Sequence, residues 1–407
     1  MPHNWSPHPR YRLYTSFRSY SPGFLEDRSS TSALEAEICR RFGVQSAVCV
    51  PMARTGLFLA LSELIRPGQR VVMSPLTIVD VVNAVILAGG VPTFVDIDRD
   101  TCGISPELAE ARIDSRTGAV LITHLHGQSC GAHHFREICD RRSVPLVEDT
   151  AQAFGAVEKG KRLGTIGDVG IYSFGYYKNV TAWRGGMVVA RNRAFAERVR
   201  KRVAGMRKLS RTRLNALHIA GSITDLSTWP PLFSTLTFPL IRSGIAIVNR
   251  RLDPEHAAGR LERLPESYFR KMRDAQAALC LKQLERVDDD SLQRMKRAAY
   301  YDAGLPRTGK LRTPPLVQDY SHIYTHYPIQ YENREALLEY ARMRGRDFSR
   351  QHLRNCADLP DFRDFYANCP NARAAAHELI LLPTYPRYPM KEAGKNAEVI
   401  ADFNLER

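Results

Sequence analysis

The chain has 407 residues, which is enough for two or three domains with substantial cores. Hydrophobic residues make up 44% and charged residues 25%, and this balance excludes a chain that is disordered over most of its length. The 58 lysines and arginines against 43 aspartates and glutamates give a formal net charge of +15. This charge favours an anionic partner, such as a phosphorylated substrate, an acidic membrane surface or nucleic acid, without choosing among them.

The cysteines and the hydropathy pattern indicate the compartment. Eight cysteines are scattered without a CxxC pair or zinc-finger spacing, which is typical of reduced thiols in a cytosolic protein and predicts no metal site. The stretch MPHNWSPHPRYRLYTSF lacks the apolar core of a signal peptide, and no stretch supplies the about 20 uninterrupted apolar residues that a spanning helix needs. We therefore expect a cytoplasmic protein that at most lies on the inner face of a membrane.

The first half of the chain alternates helical and strand-like segments. The stretch STSALEAEICRRFG has helical spacing, and SAVCVPMARTGLFLALSELIRPGQRVVMSP has the pattern of strand, helix and strand. Further helix–strand units follow in VDVVNAVILAGGVPTFVDID and in GAVLITHLHG, AHHFREICDRRS and VPLVEDT. This alternation predicts a doubly wound α/β sheet, in which ligands bind at the carboxyl ends of the strands.

The second half differs in composition. A densely basic stretch begins near residue 191, an uncharged run with three prolines follows, and ESYFRKMRDAQAALCLKQLERVDDD reads as a long connecting helix. We predict an irregular arm over residues 1–25, a large domain over 26–265 and a linking helix with a small α+β domain over 266–407.

A group of polar residues lies at predicted strand ends: Asp149, Gln152, Ser173 and Lys178. A lysine that forms a Schiff base needs a partly desolvated site, and pyridoxal 5'-phosphate (PLP) also needs a carboxylate beside its ring nitrogen and hydroxyl groups for its phosphate. The pattern suits PLP. Spacing alone, however, is equally compatible with Asp149 as a capping residue and with Lys178 as a solvated surface lysine.

The amino-acid sequence around these residues also resembles the signature of a known family. The stretch VEDTAQAFGAVEKGKRLGTIGDVGIYSFGYYKNVTAWRGGMVV resembles the signature of the DegT/DnrJ/StrS-type sugar aminotransferases, in which ED-x-AQ-x-x-GA, G-x-x-GD, SF-x-x-x-KN and GG-x-VV occur in this order. ARTGLFLAL and THLHGQ upstream and DAQAALCLKQLERVD downstream also match, so the similarity covers most of residues 30–407. The resemblance implies fold type I of the PLP enzymes, with a large three-layer α/β/α domain, a mixed, mostly parallel sheet and a smaller C-terminal α+β domain.

The resemblance also implies roles for individual residues. Lys178 would hold PLP covalently and then shuttle a proton between the substrate and the cofactor. Asp149 would pair with the pyridine nitrogen, Gln152 would contact the ring or its 3-oxygen, and Ser173 would bind the phosphate. His124, His126 and Tyr177 are weaker candidates for the cavity wall.

Four departures from the family pattern concern the cofactor's surroundings. Ala53 and Arg54, followed by Thr55, stand where the family's phosphate loop has Gly-Thr, and we expect Arg54 and Thr55 to bind the phosphate. Ile78 replaces an aromatic residue that stacks on the ring. The stretch Tyr268–Met272 lacks an asparagine that the partner subunit often supplies, so Arg270 or Lys271 would compensate. Arg184 replaces an acid before Gly-Gly.

The predicted function is that of a PLP-dependent aminotransferase, which transfers an amino group from an amino acid such as glutamate to a nucleotide-activated keto sugar. Fold type I enzymes build their sites at a dimer interface, so we expect a homodimer. We expect no nucleic-acid partner, because the arginines lack a recognisable nucleic-acid-binding motif. Two alternatives stay open: an enzyme of the same fold acting on a lipid-linked or non-sugar ketone, and a non-catalytic regulator. A nicotinamide-dependent dehydrogenase is disfavoured, because no G-x-G-x-x-G follows a strand.

The segment 203–265 is longer than its counterpart in the family. It is either an insertion that packs on the partner subunit or a membrane-surface patch, since a basic stretch precedes Trp229, Phe233 and Phe238 in an uncharged run.

Overall fold

The computed structural model describes residues 7–13, 30–243 and 259–405. Most of the predicted arm over residues 1–25, and residues 244–258 of the long segment, lie outside these ranges.

The described residues form fifteen strands: β1 (Ser46–Val50), β2 (Arg70–Met73), β3 (Leu76–Thr77), β4 (Val91–Phe94), β5 (Thr117–Thr123), β6 (Leu146–Asp149), β7 (Val157–Glu158), β8 (Lys161–Arg162), β9 (Val169–Ser173), β10 (Gly186–Ala190), β11 (Leu311–Arg312), β12 (His326–Tyr331), β13 (Ser349–Arg350), β14 (Arg354–Asn355) and β15 (Leu379–Pro383).

They also form fourteen α-helices: α1 (Ser30–Phe42), α2 (Ala53–Leu64), α3 (Val79–Leu87), α4 (Pro106–Glu110), α5 (Ala132–Arg142), α6 (Arg193–Ala204), α7 (Arg211–Ser227), α8 (Pro230–Leu232), α9 (Phe238–Arg242), α10 (Asp274–Leu284), α11 (Val287–Gly304), α12 (Arg334–Met343), α13 (Pro370–Glu378) and α14 (Met390–Leu405). A π-helical segment, Phe233–Thr237, joins α8 to α9, so these three elements form one nearly continuous helical stretch.

The larger sheet has seven strands in the order β1-β10-β9-β6-β5-β2-β4. The five strands from β9 to β4 pair in parallel, and β10 pairs antiparallel with β1 and β9. Successive side chains of β2 pack into the two cores on opposite faces of the sheet. Val71 and Met73 pack with α2, α3 and α6, whereas Val72 packs with α5. Because both faces are covered by helices, the strands are Val- and Ile-rich runs, and the prediction of a three-layer, mostly parallel sheet is confirmed.

The second sheet is antiparallel and has four strands, in the order β11-β12-β15-β13. Its core includes side chains of α11, α12 and α14, such as Tyr301, Leu337 and Ile400. Residues 353–379 also contribute to the core of the larger sheet, where β14 pairs with β3. The predicted domain boundary at residue 265 stays a prediction.

The parallel strands determine where the polar residues meet. Since β5, β6 and β9 run in the same direction, their last residues Thr123, Asp149 and Ser173 lie at one edge of the sheet. This is the edge at which open α/β sheets bind ligands.

The interior of the sheet beside Asp149 leaves no room at Gly170. A Cβ at this position would lie 1.9 Å from the carbonyl oxygen of Gly164. We expect Gly170→Ala to lower the free energy of unfolding by about 1–3 kcal/mol, because the backbone must shift to accept the methyl group. Urea denaturation measures the change. Gly309→Ala is the matched control, since its Cβ meets nothing within 4 Å, and an equal loss in both variants would contradict the steric account.

Candidate active site

A cavity of about 770 Å³ opens at the carboxyl edge of the larger sheet. Six of the seven predicted site residues line it: Arg54, Ile78, Asp149, Gln152, Ser173 and Lys178. The seventh, Thr55, is fully buried and is not among the described residues that line the cavity.

Glu148 organises the strand end beside the cavity. Its carboxylate is fully buried and accepts hydrogen bonds from the backbone N–H groups of Gly164 and Ile166, each at 2.8 Å, and from that of Gly167. The Nε2 atom of His124 lies 3.0 Å from Oε2 of Glu148, the oxygen that also accepts the hydrogen bond of Gly164. Burial by itself lowers the pKa of His124, but Cys130 and Glu148 raise it to about 10. Glu148 therefore ties β6 to the loop before β9 and to the end of β5.

Asp149 is the next residue along β6, and successive side chains of a strand point to opposite faces. Its carboxyl lines the cavity and accepts a hydrogen bond of 3.0 Å from the backbone N–H of Ala151. Burial raises the pKa of Asp149, although Ala151, Lys178 and His124 act in the opposite direction. A buried carboxyl of this kind would be stabilised in its ionised form by a cationic ligand group in the cavity.

Lys178 lies on a loop that crosses the cavity between β9 and β10. Tyr177, next to it, has a left-handed backbone with φ 59°, which is uncommon for a residue with a side chain. Two hydrogen bonds hold the loop: Thr181 Oγ1 donates to the carbonyl of Gly175 at 2.8 Å, and Asn179 Nδ2 donates to that of Phe154 at 2.9 Å. Lys178 as a whole is partly buried, and its charge acts to lower the pKa of Asp149.

The amino-terminal end of α2 forms a second wall. Ala53 and Arg54 line the cavity, and within the described chain the cap residue Met52 gives this helix no side-chain hydrogen bond. Gly186 permits the close approach of α2 to β10, since a Cβ there would lie 2.6 Å from the backbone nitrogen of Ala53. An uncapped helix start beside the hydroxyl of Ser173 is a site for an anion.

Arg54 is held by a buried acid and a tyrosine. Its Nη1 lies 3.2 Å from Asp80 Oδ2 and 3.1 Å from the hydroxyl of Tyr268, which donates to Asp80 Oδ1 at 2.8 Å. Thr55 Oγ1 donates to the carbonyl of Tyr268 at 2.8 Å. Thr55 thus holds Tyr268, which in turn orients Arg54. The hydroxyl of Thr55 faces the protein interior.

The remaining predicted residues are spread around the wall. Gln152 Oε1 accepts a hydrogen bond of 3.0 Å from the backbone N–H of His126. Ile78 is the cap residue of α3 and is partly buried. Of the weaker candidates, Tyr177 lines the cavity, whereas His124 and His126 are fully buried behind it.

The residues that depart from the family pattern contact their own chain. Arg184 is buried at the cavity wall and donates to the carbonyl of Ser267. Arg270 pairs with Glu266, and Lys271 Nζ donates to the carbonyl of Ala204 at 3.0 Å.

Sequence reasoning missed the contribution of the amino-terminal arm. Arg10 and Tyr11 line the cavity. The backbone N–H of Arg10 donates to Asp347 at 3.0 Å, and the hydroxyl of Tyr11 donates to Ser349 Oγ at 2.6 Å. The ring of Tyr11 lies 4.9 Å from that of Tyr177. No local pattern in the sequence indicates these contacts, which join residues more than three hundred positions apart.

Two histidines of the C-terminal half, His326 and His352, also line the cavity. Burial lowers the pKa of His326 well below its usual value, so this side chain is neutral at pH 7. His326 is an ordinary strand residue in the sequence, and only the position of β12 beside the cavity identifies it.

The described part of the chain offers neither a metal site nor a membrane span. Among residues 7–13, 30–243 and 259–405, no three histidine, cysteine or acidic side chains come together in a way that could hold a metal ion. In the same ranges, no helix is both long and apolar enough to cross a membrane.

Comparison with known proteins identifies the family. The model of the DegT/DnrJ/EryC1/StrS aminotransferase family matches residues 19–229 and 253–401. The chain belongs to this family. The resemblance found in the sequence is thereby confirmed, and the chain is an aminotransferase of a family whose members generally use PLP.

Similar proteins support the family and the fold. The chain is 29% identical to the spore coat polysaccharide biosynthesis protein SpsC of Bacillus subtilis over 315 residues, which are 77% of this chain and 71% of SpsC. It is 25% identical to the aminotransferase TlmJ of Streptoalloteichus hindustanus, with a TM-score of 0.73 over 94% of this chain and 93% of TlmJ. An aminotransferase from Psychrobacter cryohalolentis matches in fold, with a TM-score of 0.77 at 20% identity over 99% of each chain. Fold type I is confirmed.

The buried contact of Arg54 with Asp80 predicts a large effect of removing the acid. We expect Asp80→Asn to lower the free energy of unfolding by about 3 kcal/mol, because it leaves a mostly buried guanidinium without its counter-charge. Asp364→Asn is the control, since its ion pair with Arg260 is exposed and is worth less than about 1 kcal/mol. Similar denaturation midpoints for the two variants would contradict the interpretation.

Proposed function

We propose that this aminotransferase transfers the amino group of an amino acid, glutamate in the first instance, to the keto group of a nucleotide-linked sugar. The observation that carries the proposal is the convergence of Lys178, Asp149 and Ser173 on one cavity, beside the start of α2. An amine, a buried acid and an anion site are the three groups that PLP requires.

The residues around the cavity fit PLP. Asp149 is buried with few donors around it, so a protonated ring nitrogen would stabilise its charge. Ser173, the uncapped start of α2 and Arg54 would hold the phosphate, while Ile78 and Gln152 would contact the ring. When bound, PLP supplies an electron sink that stabilises negative charge on the carbon next to the transferred amine.

Lys178 would perform the proton transfers. With PLP in the cavity, its Nζ would hold the cofactor covalently until the amino donor takes its place. The freed Nζ would accept the proton that leaves the donor's carbon and would deliver it to the C4′ carbon of the cofactor. The hydrogen bonds of Thr181 and Asn179 hold the loop, and they would keep the amine close to the reacting carbon during both transfers.

The charge of the cavity supports an anionic substrate. Seven arginines line it together with Lys178, whereas four acids do so: Arg10, Arg54, Arg184, Arg213, Arg342, Arg346 and Arg350 against Asp149, Glu335, Glu339 and Asp347. This excess of positive charge suits a diphosphate group. The name of SpsC, a polysaccharide biosynthesis protein, also supports a sugar as the acceptor.

The comparisons favour this function over the two alternatives. Both the family and the relatives are aminotransferases or polysaccharide biosynthesis proteins, which does not favour a lipid-linked ketone or a non-catalytic regulator. We propose that the protein is a homodimer, since fold type I sites lie at subunit interfaces. We also propose that it works in the cytoplasm and binds no nucleic acid.

The covalent role of Lys178 can be tested by spectroscopy. We expect the wild-type protein with PLP to show a visible absorption band and, after borohydride reduction, a permanent mass increment on the peptide that contains Lys178. Lys178→Ala should lose both the band and the increment, and Lys161→Ala, which removes an exposed lysine, should keep them. A band that persists unchanged in Lys178→Ala would overturn the assignment.

The role of Asp149 predicts a loss of rate rather than of folding. We expect Asp149→Asn to lower kcat by about 10²-fold or more, because the amide gives the ring nitrogen no negative partner. The variant should keep its unfolding midpoint, since burial already disfavours the charge of Asp149. Steady-state kinetics measures the effect, with Asp140→Asn on the exposed face of α5 as control. Full activity in Asp149→Asn would contradict the proposed pairing.

A further inference from the structure

The helical segment from α7 to α9, residues 211–242, forms a roof over the active-site cavity. Its inner residues Arg213, Leu217 and Ile241 line the cavity. The hydroxyl of Tyr176, two residues before Lys178, donates to the carbonyl of Leu217 at 2.7 Å. At the end of α9, Arg342 of α12 donates to the carbonyl of Arg242. The roof therefore extends from the loop that carries Lys178 to the helices of the second sheet.

The roof is firmly packed on its inner side. Phe233 and Phe238 are buried, with ring centroids 5.8 Å apart. Thr237 Oγ1 donates to the carbonyl of Ser227 at 2.9 Å, which ties the π-helical segment to α7. Gly221 lets α7 approach the loop after Lys178, since a Cβ there would lie 2.7 Å from Trp183 Nε1. These contacts fix which side of α7 faces outward.

The outward side is apolar. Ile219, Ile223 and Leu226 follow each other at spacings of four and three residues on α7 and are 58%, 62% and 60% exposed. The apolar surface continues through Trp229, Leu236 and Leu240. Six of the twelve large hydrophobic side chains that are exposed in the described part of the chain thus lie within 22 consecutive residues. A concentration of this kind marks an interaction surface.

We propose that the outer face of the α7–α9 roof docks on an anionic lipid bilayer. Basic residues flank the apolar face along the sequence and form its basic rim: Arg207, Lys208 and Arg211 precede it and Arg242 follows it, against one acid, Asp225, within residues 211–242. Apolar side chains would enter the headgroup region while the basic rim contacts the lipid phosphates.

Charge favours a lipid surface over a second copy of the chain. A two-fold contact places the same patch on both subunits, and it would bring the two basic rims of this face together. The single acid of the segment, Asp225, is partly buried and cannot neutralise a facing rim. The whole chain carries +15, so an anionic bilayer is the complementary partner. Because the inner side of the roof is a wall of the cavity, docking would hold the cavity close to the membrane surface.

Vesicle sedimentation tests this proposal without relying on enzymatic activity. The wild-type protein should sediment with vesicles of phosphatidylglycerol and phosphatidylcholine in equal parts, and much less with phosphatidylcholine alone or at high salt. The triple variant Ile219→Gln, Ile223→Gln, Leu226→Gln should lower the partition coefficient by about tenfold or more, since each apolar side chain contributes to the transfer. The substituted side chains are largely exposed, so the fold should be retained, which circular dichroism checks.

A matched control separates the roof from general surface hydrophobicity. Leu108→Gln, Met343→Gln, Tyr366→Gln removes three apolar side chains that are 50%, 43% and 61% exposed elsewhere, and it should bind vesicles as the wild type does. Three results would overturn the proposal: wild-type protein that stays in the supernatant with anionic vesicles, equal losses in both triple variants, or a roof variant that binds vesicles normally but dissociates into monomers in analytical ultracentrifugation. The last result would assign the face to a second copy of the chain.

Discussion

The buried carboxylate of Glu148 is the interaction on which the active-site geometry depends. Removing a carboxylate from water is costly, and this one is compensated by three backbone N–H groups of the 164–167 loop and by His124. These donors come from the end of β5 and the loop before β9, so one side chain aligns three adjacent strands. Asp149 then faces the cavity because the strand alternates, and Lys178 and Ser173 lie at the end of the strand next to it.

The opposite wall is assembled by contacts between segments far apart in sequence. Tyr268 joins α2 to α3 by holding Arg54, Thr55 and Asp80 together, although it lies more than 180 residues further along the chain. The arm at Arg10 and Tyr11 joins the first residues of the chain to β13 in the second sheet. The cavity is therefore formed jointly by the two sheets and their connections, which suits an enzyme that holds a cofactor on one side and exchanges two substrates on the other.

The architecture of the larger sheet and the position of several site residues could be predicted from local sequence patterns. Val- and Ile-rich runs alternating with amphipathic helices predict the three-layer sheet, and strand ends in a parallel sheet bring Asp149, Ser173 and Lys178 together. The resemblance to the family then supplied their chemical meaning. Local patterns could not separate the adjacent acids Glu148 and Asp149 into an anchoring and a cavity-lining residue. Nor could they predict that Thr55 faces the interior or that Tyr11 reaches the cavity, because those outcomes depend on contacts between distant segments.

We propose that this site moves nitrogen from an amino acid to a nucleotide-linked keto sugar. The most direct measurement incubates the PLP-loaded enzyme with glutamate that carries a heavy-nitrogen amino group and with nucleotide-linked 3-keto and 4-keto sugars, and analyses the sugars by mass spectrometry. We expect an amino sugar that contains the heavy nitrogen with the wild-type protein and none with Lys178→Ala. Loss of the label from glutamate to simple keto acids, with every nucleotide-linked sugar unchanged, would contradict it.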